Sequence, residues 1–182
     1  MLFRATFAQH RTQWITRMGI LLALAISIQL LRLPQLITGS VINALLFLAV
    51  MTVGTASAAL LGVFTPLTAL VAGILAPALA PLVPFIMAAN AILAGVFGLL
   101  AGTLPPREKS FFTPRLGGAM LAAAVCKFAF LYAVTAWVIS WLHLRLPAAA
   151  LAAFQLPQLY TAISGGILAL LTAQLLLKAQ AR

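Results

Sequence analysis

The sequence predicts an all-α integral membrane protein, and three observations lead to this fold class. Of the 182 residues, 64% are hydrophobic, and the mean hydropathy is +1.16. The formal charge is +10, with Glu108 the only acidic residue. A bilayer core of about 30 Å needs about 20 apolar residues per helix, so we expect roughly six spans in a single membrane domain, 1–182. Nucleic-acid binding is not expected, because it needs a solvated basic face.

Six apolar segments, separated by Pro and Gly, form the predicted transmembrane helices. Pro and Gly mark places where the backbone leaves a helix. The second and third spans are divided only weakly, at 53–59, so a merged five-span protein is the alternative. We expect no cleavable signal, because no small-residue cleavage site follows the apolar run 18–31. The predicted spans are 14–31, 38–53, 56–75, 85–102, 116–143 and 158–177.

Basic residues lie mainly in the connections on one side of the predicted bundle. With the N-terminus inside, only Arg32 and Arg145 lie outside, and Lys127 lies within a span. Cytoplasmic connections of membrane proteins are enriched in Lys and Arg. The distribution therefore predicts both termini inside and an even number of spans, which the five-span alternative does not allow. The inside residues are Arg4, Arg11, Arg17, Arg107, Lys109, Arg115, Lys178 and Arg182.

The three predicted outer connections, 32–37, 75–84 and 144–157, contain Pro and are mostly apolar. We expect them to pack over the bundle or to lie at headgroup depth. Two of them share the pattern Leu-Pro-Gln-Leu-x-Thr, at 33–38 and at 156–161. Pro suits the start of a helix, Gln offers a donor and an acceptor, and Thr can cap. The pattern predicts two similar polar caps on the same face.

Lys127 is the costliest residue to place in a membrane. It lies about 16 Å into the fifth predicted span, where a lysine costs about 2.5–3.5 kcal/mol on insertion scales. No acidic residue is available within the spans to pair with it. Three interpretations are open. Lys127 snorkels to the interface, donates to helix-end carbonyls or to Asn43 or Asn90, or meets an anionic substrate group.

Other polar and aromatic side chains form a candidate outer pocket. Asn43 and Asn90 lie in the second and fourth spans, where an Asn more often bonds across helices than binds substrate. Trp141 ends the fifth span, where Trp is first an interfacial anchor. Apolar walls with a few polar groups suit a flat, heteroaromatic or largely apolar nutrient. The remaining candidates at this end are Gln35, His143, Gln158 and Tyr160.

Several functional classes are not favoured by the residues present. The spans have no carboxylates, which disfavours ion-coupled carriers and channels with acidic rings. The chain has no paired carboxylates and no Ser–His–Asp or His–Cys constellation, so we expect no enzymatic activity. One cysteine, Cys126, and two distant histidines disfavour metal or iron–sulfur sites. We expect no cofactor. The chain also has no P-loop, so any ATP hydrolysis belongs to partners.

Four short motifs occur in the first half of the chain. They are Leu-Pro-Gln at 33–35, Thr-Gly-Ser-Val-Ile-Asn-Ala at 38–44, Gly-Val-Phe-Thr-Pro at 62–66, and Pro-Leu-Val-Pro-Phe-Ile at 81–86 followed by Asn90-Ala91. Together with six helices and both ends inside, they resemble the S component of energy-coupling factor (ECF) transporters, over about residues 15–180. The resemblance is to poorly characterised members of that family.

This resemblance implies capture of a vitamin or similar micronutrient at the outer face of a prokaryotic plasma membrane. It also implies partners, namely a transmembrane coupling subunit and two cytoplasmic ATPases. The family docks to its coupling subunit through small residues of the first helix, here Gly19, Ala23 and Ser27; Ser27 departs from the more common Ala. The alternative is a non-catalytic accessory or assembly subunit of another membrane complex. A cavity beneath the outer connections distinguishes the two hypotheses.

Overall fold

The computed structural model describes residues 2–75, 77–102, 111–141, 143 and 148–180, which form helices and connections without a strand. The all-α prediction is thus confirmed. The main helices are α1 (Leu2–Leu30), α2 (Gln35–Thr52), α3 (Thr55–Val71), α4 (Val83–Ala101) and α5 (Pro114–Ala133). A 3₁₀ helix (Pro77–Leu82) precedes α4. A π-helical turn (Val134–Val138), α6 (Ile139–Trp141), α7 (Ala148–Ala153) and α8 (Leu156–Gln180) follow α5.

Five apolar stretches in the described chain are long enough to cross a membrane, in agreement with the predicted membrane class. The remaining apolar helix, α3, has 17 residues. At 1.5 Å per residue it is about 26 Å long, slightly less than a typical hydrocarbon core. The five stretches are Arg11–Leu30, Gln35–Thr52, Leu79–Ala101, Pro114–Trp141 and Leu156–Ala179.

The weak divider between the second and third predicted spans is a true break. Gly54 has a φ of +119° and precedes the first residue of α3, so α2 and α3 are two helices and not one merged helix, while the number of membrane spans remains a prediction. The third helix ends at Val71, four residues before the predicted boundary at 75. Gly73 has a φ of +64°, and the amides of Ile74 and Leu75 both donate to the Ala69 carbonyl. This is the left-handed helix ending that glycine favours.

Helices α2 and α8 pack closely because small residues face each other. A Cβ on Gly165 would lie 2.7 Å from Asn43 Cβ and 2.9 Å from the Ala44 backbone nitrogen. The hydroxyls of Ser40 and Ser164 are 2.6 Å apart. About one helical turn further along α2, the buried ring of Phe47 packs edge to face against that of Phe97 (α4), with the ring centroids 4.8 Å apart. Small residues let helix backbones approach in lipid, where van der Waals packing drives association.

Basic and polar side chains form hydrogen bonds between neighbouring helices at one end of the bundle. Arg17 donates to the Thr52 carbonyl at 2.9 Å, and Arg115 donates to the Leu100 carbonyl at 3.3 Å. Trp14 donates to Ser57 at 2.8 Å, and the Phe111 amide donates to Gln174 at 2.7 Å. These contacts join the middle of α1 to the end of α2 and the start of α3, and they join the start of α5 and the residues just before it to the C-terminal parts of α4 and α8. Cations at helix C-termini also interact favourably with the exposed carbonyls.

This basic end is the one that the charge distribution predicts to be cytoplasmic, and the N-in, C-in orientation itself remains a prediction. Four further basic residues used in that prediction, Arg107, Lys109, Arg145 and Arg182, lie outside the described residues, as does Glu108. Large apolar side chains cover the outside of the bundle. Leu99, Leu175 and Ile20, for example, are more than half exposed, as expected for a surface that contacts lipid.

Candidate ligand-binding site

A cavity of about 440 Å³ lies in the half of the bundle opposite the basic end. It extends from buried Lys127 to the exposed residues Arg32 and Gln35. Its volume is within the range of small-molecule sites. Its polar lining residues are Gln29, Arg32, Gln35, Thr38, Asn43, Thr65, Asn90, Lys127 and Gln158, and its larger apolar ones include Leu33, Ile42, Leu79, Ile86 and Phe154.

Lys127 lies at the buried end of the cavity and is only 4% exposed. Its Nζ donates to Asn43 Oδ1 at 2.6 Å and to Asn90 Oδ1 at 2.8 Å. Of the three interpretations of Lys127, the structure therefore shows the second, donation to the two asparagines. It does not show snorkelling to the interface. The cavity next to Lys127 leaves the third interpretation, contact with an anionic group, open as a further role.

Asn90 is held in position by a helix defect in α3. Pro66 has no backbone N–H, so the Gly62 carbonyl lacks its usual intrahelical donor. Asn90 Nδ2 donates to this carbonyl at 2.9 Å, and the Thr65 hydroxyl donates to it at 3.3 Å. With its nitrogen engaged in this way, Asn90 presents Oδ1 to Lys127. A Cβ at position 62 would lie 2.7 Å from Asn90 Cβ, so glycine is needed for this approach.

Asn43 is fixed in a similar way by α8. Its Nδ2 donates to Thr161 Oγ1 at 3.3 Å, and the Thr161 hydroxyl donates to the Gln158 carbonyl at 3.1 Å. Thr161 and Gln158 belong to the second copy of the Leu-Pro-Gln-Leu-x-Thr pattern, while Gln35 and Thr38 belong to the first. Both copies therefore contribute to the same cavity.

Gln29 joins α1 to α3 at the cavity wall through hydrogen bonds of its side chain. It is buried, its Nε2 donates to the Thr65 carbonyl at 3.0 Å, and its Oε1 accepts from the Thr68 hydroxyl at 3.2 Å. Arg32 also lines the cavity, whereas its charge in the sequence predicted only that it lies on the outer side. Its position directly before the Leu-Pro-Gln motif is the signal that points to it.

Five of the predicted binding residues meet in this cavity, namely Gln35, Asn43, Asn90, Lys127 and Gln158. The other three lie elsewhere. Trp141 is 79% exposed, which suits an interfacial anchor, and His143 is exposed in a turn with a φ of +50°. Tyr160 is 60% exposed and lines a separate groove on the outside of α2 and α8.

The predicted docking residues form a free face on α1. Gly19, Ala23 and Ser27 are all exposed, and a Cβ on Gly19 would meet nothing within 4 Å. The opposite side of α1 faces the bundle, through Ala25 and Gln29, which are buried. The three small residues are therefore open to a neighbouring helix.

No family model, curated protein or solved structure matches this chain.

Proposed function

We propose that the protein is the substrate-capturing membrane subunit of an ECF-type importer. The observation that carries this proposal is the cavity beneath Gln35, Leu79 and Phe154, at the end of the bundle predicted to face outwards. A cavity that connects a buried polar group to exposed residues suits capture of a small molecule from one side of the membrane.

The composition of the cavity supports capture rather than permeation. Its walls are largely apolar, with a small number of hydrogen-bonding groups fixed by neighbouring helices, as in small-molecule sites generally. On the side of Lys127 away from the cavity, the side chains of Phe47, Phe97 and Leu93 are fully buried. The cavity is therefore a pocket with a floor. An accessory subunit, the alternative hypothesis, needs no such pocket.

The partners in this proposal follow from what the chain lacks and from what α1 exposes. Since the sequence has no P-loop, ATP hydrolysis is assigned to separate ATPases. The face of Gly19, Ala23 and Ser27 suits close contact with a transmembrane coupling subunit, because small residues let two backbones approach in lipid.

Native mass spectrometry of the purified protein tests the proposal. We expect the wild-type protein to carry a co-purified small molecule. Ala69→Trp should lose it, because Ala69 lines the cavity and an indole would occupy much of the space. Leu121→Trp is the matched control, since Leu121 is 47% exposed on the outside of α5. A wild-type protein without a bound molecule, or equal retention by Ala69→Trp, would contradict capture and favour an assembly role.

A further inference from the structure

We propose that the cavity selects a small, largely apolar molecule with a single negative charge, in the simplest case a carboxylate, which binds the Lys127 ammonium. This inference rests on the proposed function, because it names the class of molecule captured at the same site. It is carried by three features of the cavity, which are an uncompensated buried cation, an unused donor and the distribution of charge along the cavity.

The first feature is a buried charge without a counter-ion. Lys127 lies 13 residues after the start of α5, about 20 Å along the helix, and is 4% exposed. Buried cations in proteins are generally paired with an anion. No carboxylate is present among the described residues, and the only acidic residue of the chain, Glu108, lies in a connection predicted to be cytoplasmic. An anion that pairs with the Lys127 ammonium would therefore come from outside the described bundle, for example as a ligand in the cavity.

The second feature is the number of hydrogen bonds at Lys127. An ammonium group has three N–H donors. Two of them bond the oxygens of Asn43 and Asn90, and no third acceptor is found for Lys127 within the described part of the chain. The side-chain nitrogen of Asn43 donates to the Thr161 hydroxyl, and that of Asn90 donates to the Gly62 carbonyl. The asparagines therefore orient the ammonium without neutralising it, and one donor remains for a ligand in the cavity.

The third feature is the sign of the charge along the cavity. Arg32 lines the exposed end and Lys127 the buried end, and the other polar lining residues are neutral. Two cations at the two ends attract anions and repel cations. The same cavity is lined by Ile42, Leu79, Ile86 and Phe154, which offer an apolar surface that an inorganic anion would not use. The arrangement suits an amphipathic monoanion with its charged group at Lys127.

The test uses the full-length protein in lipid nanodiscs and a low-molecular-weight extract of bacterial cells. Anion exchange at neutral pH divides this extract into a retained, anionic fraction and an unretained fraction. The protein is incubated with each fraction separately, and the bound compounds are released and identified by mass spectrometry. We expect the compounds bound by the wild-type protein to come from the anionic fraction.

The decisive variant is Asn43→Asp. It keeps the size of the side chain and the oxygen that accepts from Lys127, but it supplies the missing counter-ion within the bundle and adds negative charge to the cavity. We expect it to lower binding of anionic compounds by more than about tenfold, since charges interact strongly at such short range. Gln174→Glu is the matched control. This control also replaces an amide by a carboxylate, but on α8 and at the basic end of the bundle, away from the cavity, where Gln174 accepts from the Phe111 amide.

The outcomes separate this inference from the proposed function. Binding only from the unretained fraction would overturn the inference and leave substrate capture intact. Stabilisation of the protein by chloride alone would assign Lys127 to an inorganic anion and would also overturn the inference. Equal binding by wild type and Asn43→Asp would show that Lys127 does not recognise the charge. Binding from neither fraction would count against the proposed function, and the inference would fall with it.

Discussion

At the scale of single residues, the site depends on a short series of hydrogen bonds that starts at a carbonyl group lacking its backbone donor. Pro66 leaves the Gly62 carbonyl without its backbone donor, the side chains of Asn90 and Thr65 donate to it instead, and the Asn90 oxygen accepts from Lys127. The cost of Lys127 in a membrane was evident from sequence, because it depends on residue type and depth. The sequence did not show which polar side chains contact Lys127, because that depends on how the helices are rotated about their axes.

Loss of Asn90 should weaken the protein measurably. Asn90→Ala removes one acceptor from Lys127 and the shorter of the two side-chain hydrogen bonds to the Gly62 carbonyl. Because buried groups left unsatisfied cost about 1–3 kcal/mol, we expect the free energy of unfolding to fall by that amount. Unfolding of the purified protein by heat or denaturant measures the change.

Thr172→Ala is the matched control for Asn90→Ala. Thr172 is exposed on α8, and its hydroxyl donates only to the Leu168 carbonyl of its own helix, so we expect a change of about 0.5 kcal/mol or less. Equal stability of Asn90→Ala and the wild type would show that the Lys127 network contributes nothing to the fold.

At the scale of elements, glycines decide which helices come together. Gly165 allows α8 to approach α2, and Gly62 allows α4 to approach α3. Hydropathy identified these helices, and the break at Gly54 followed from its position between two apolar runs. The early end of α3 at Val71 was missed, because Gly73 lies inside an apolar run and only its left-handed backbone shows that the helix has ended.

A methyl group at position 165 should separate α2 from α8. In Gly165→Ala the new Cβ would meet Asn43 Cβ at 2.7 Å and the Ala44 backbone nitrogen at 2.9 Å, and backbone cannot move aside as a flexible side chain can. Overpacking of this kind costs about 1–3 kcal/mol. We expect a loss of stability in this range or above it, measured by unfolding in detergent.

Gly118→Ala serves as the control for this substitution. Gly118 lies in α5, and a Cβ there would meet nothing within 4 Å. Since Ala is favoured over Gly in a helix by roughly 0.5–1 kcal/mol, this variant should be as stable as the wild type or slightly more so. A Gly165→Ala protein with the stability of Gly118→Ala would argue against the close α2–α8 contact.

At the scale of the whole molecule, the two ends of the bundle differ in chemistry. One end has Arg17 and Arg115 bound to helix carbonyls, and the other has the cavity beneath mostly apolar connections. The charge count along the sequence predicted this polarity, because eight of the eleven basic residues fall in segments assigned to one side of the predicted bundle. The apolar outer connections were predicted to pack over the bundle or to lie at headgroup depth, and Leu33, Leu79 and Phe154 from them line the cavity.

A larger side chain on the exposed face of α1 should weaken assembly without harming the fold. Ala23→Leu adds bulk between Gly19 and Ser27, where the proposed coupling subunit needs close approach. We expect normal expression but a reduced yield of coupling subunit when the two proteins are co-purified. Ala129→Leu, a small-to-large change at an exposed position of α5, is the control and should leave the yield unchanged. Equal yields from both variants would remove the docking assignment.

The sequence by itself determined the all-α membrane class, the approximate positions of the helices, the separation of basic from apolar connections and the unusual cost of Lys127. These properties depend on the transfer free energy of consecutive residues and are therefore local in the chain. Only the tertiary structure brought Lys127, Asn43 and Asn90 together at the end of a cavity, added Gln29 and Arg32 to its wall, and left Trp141, His143 and Tyr160 outside it. The physical reason is that residues far apart in sequence meet only when rotation and close packing of the helices, here permitted by Gly62 and Gly165, point their side chains at the same space.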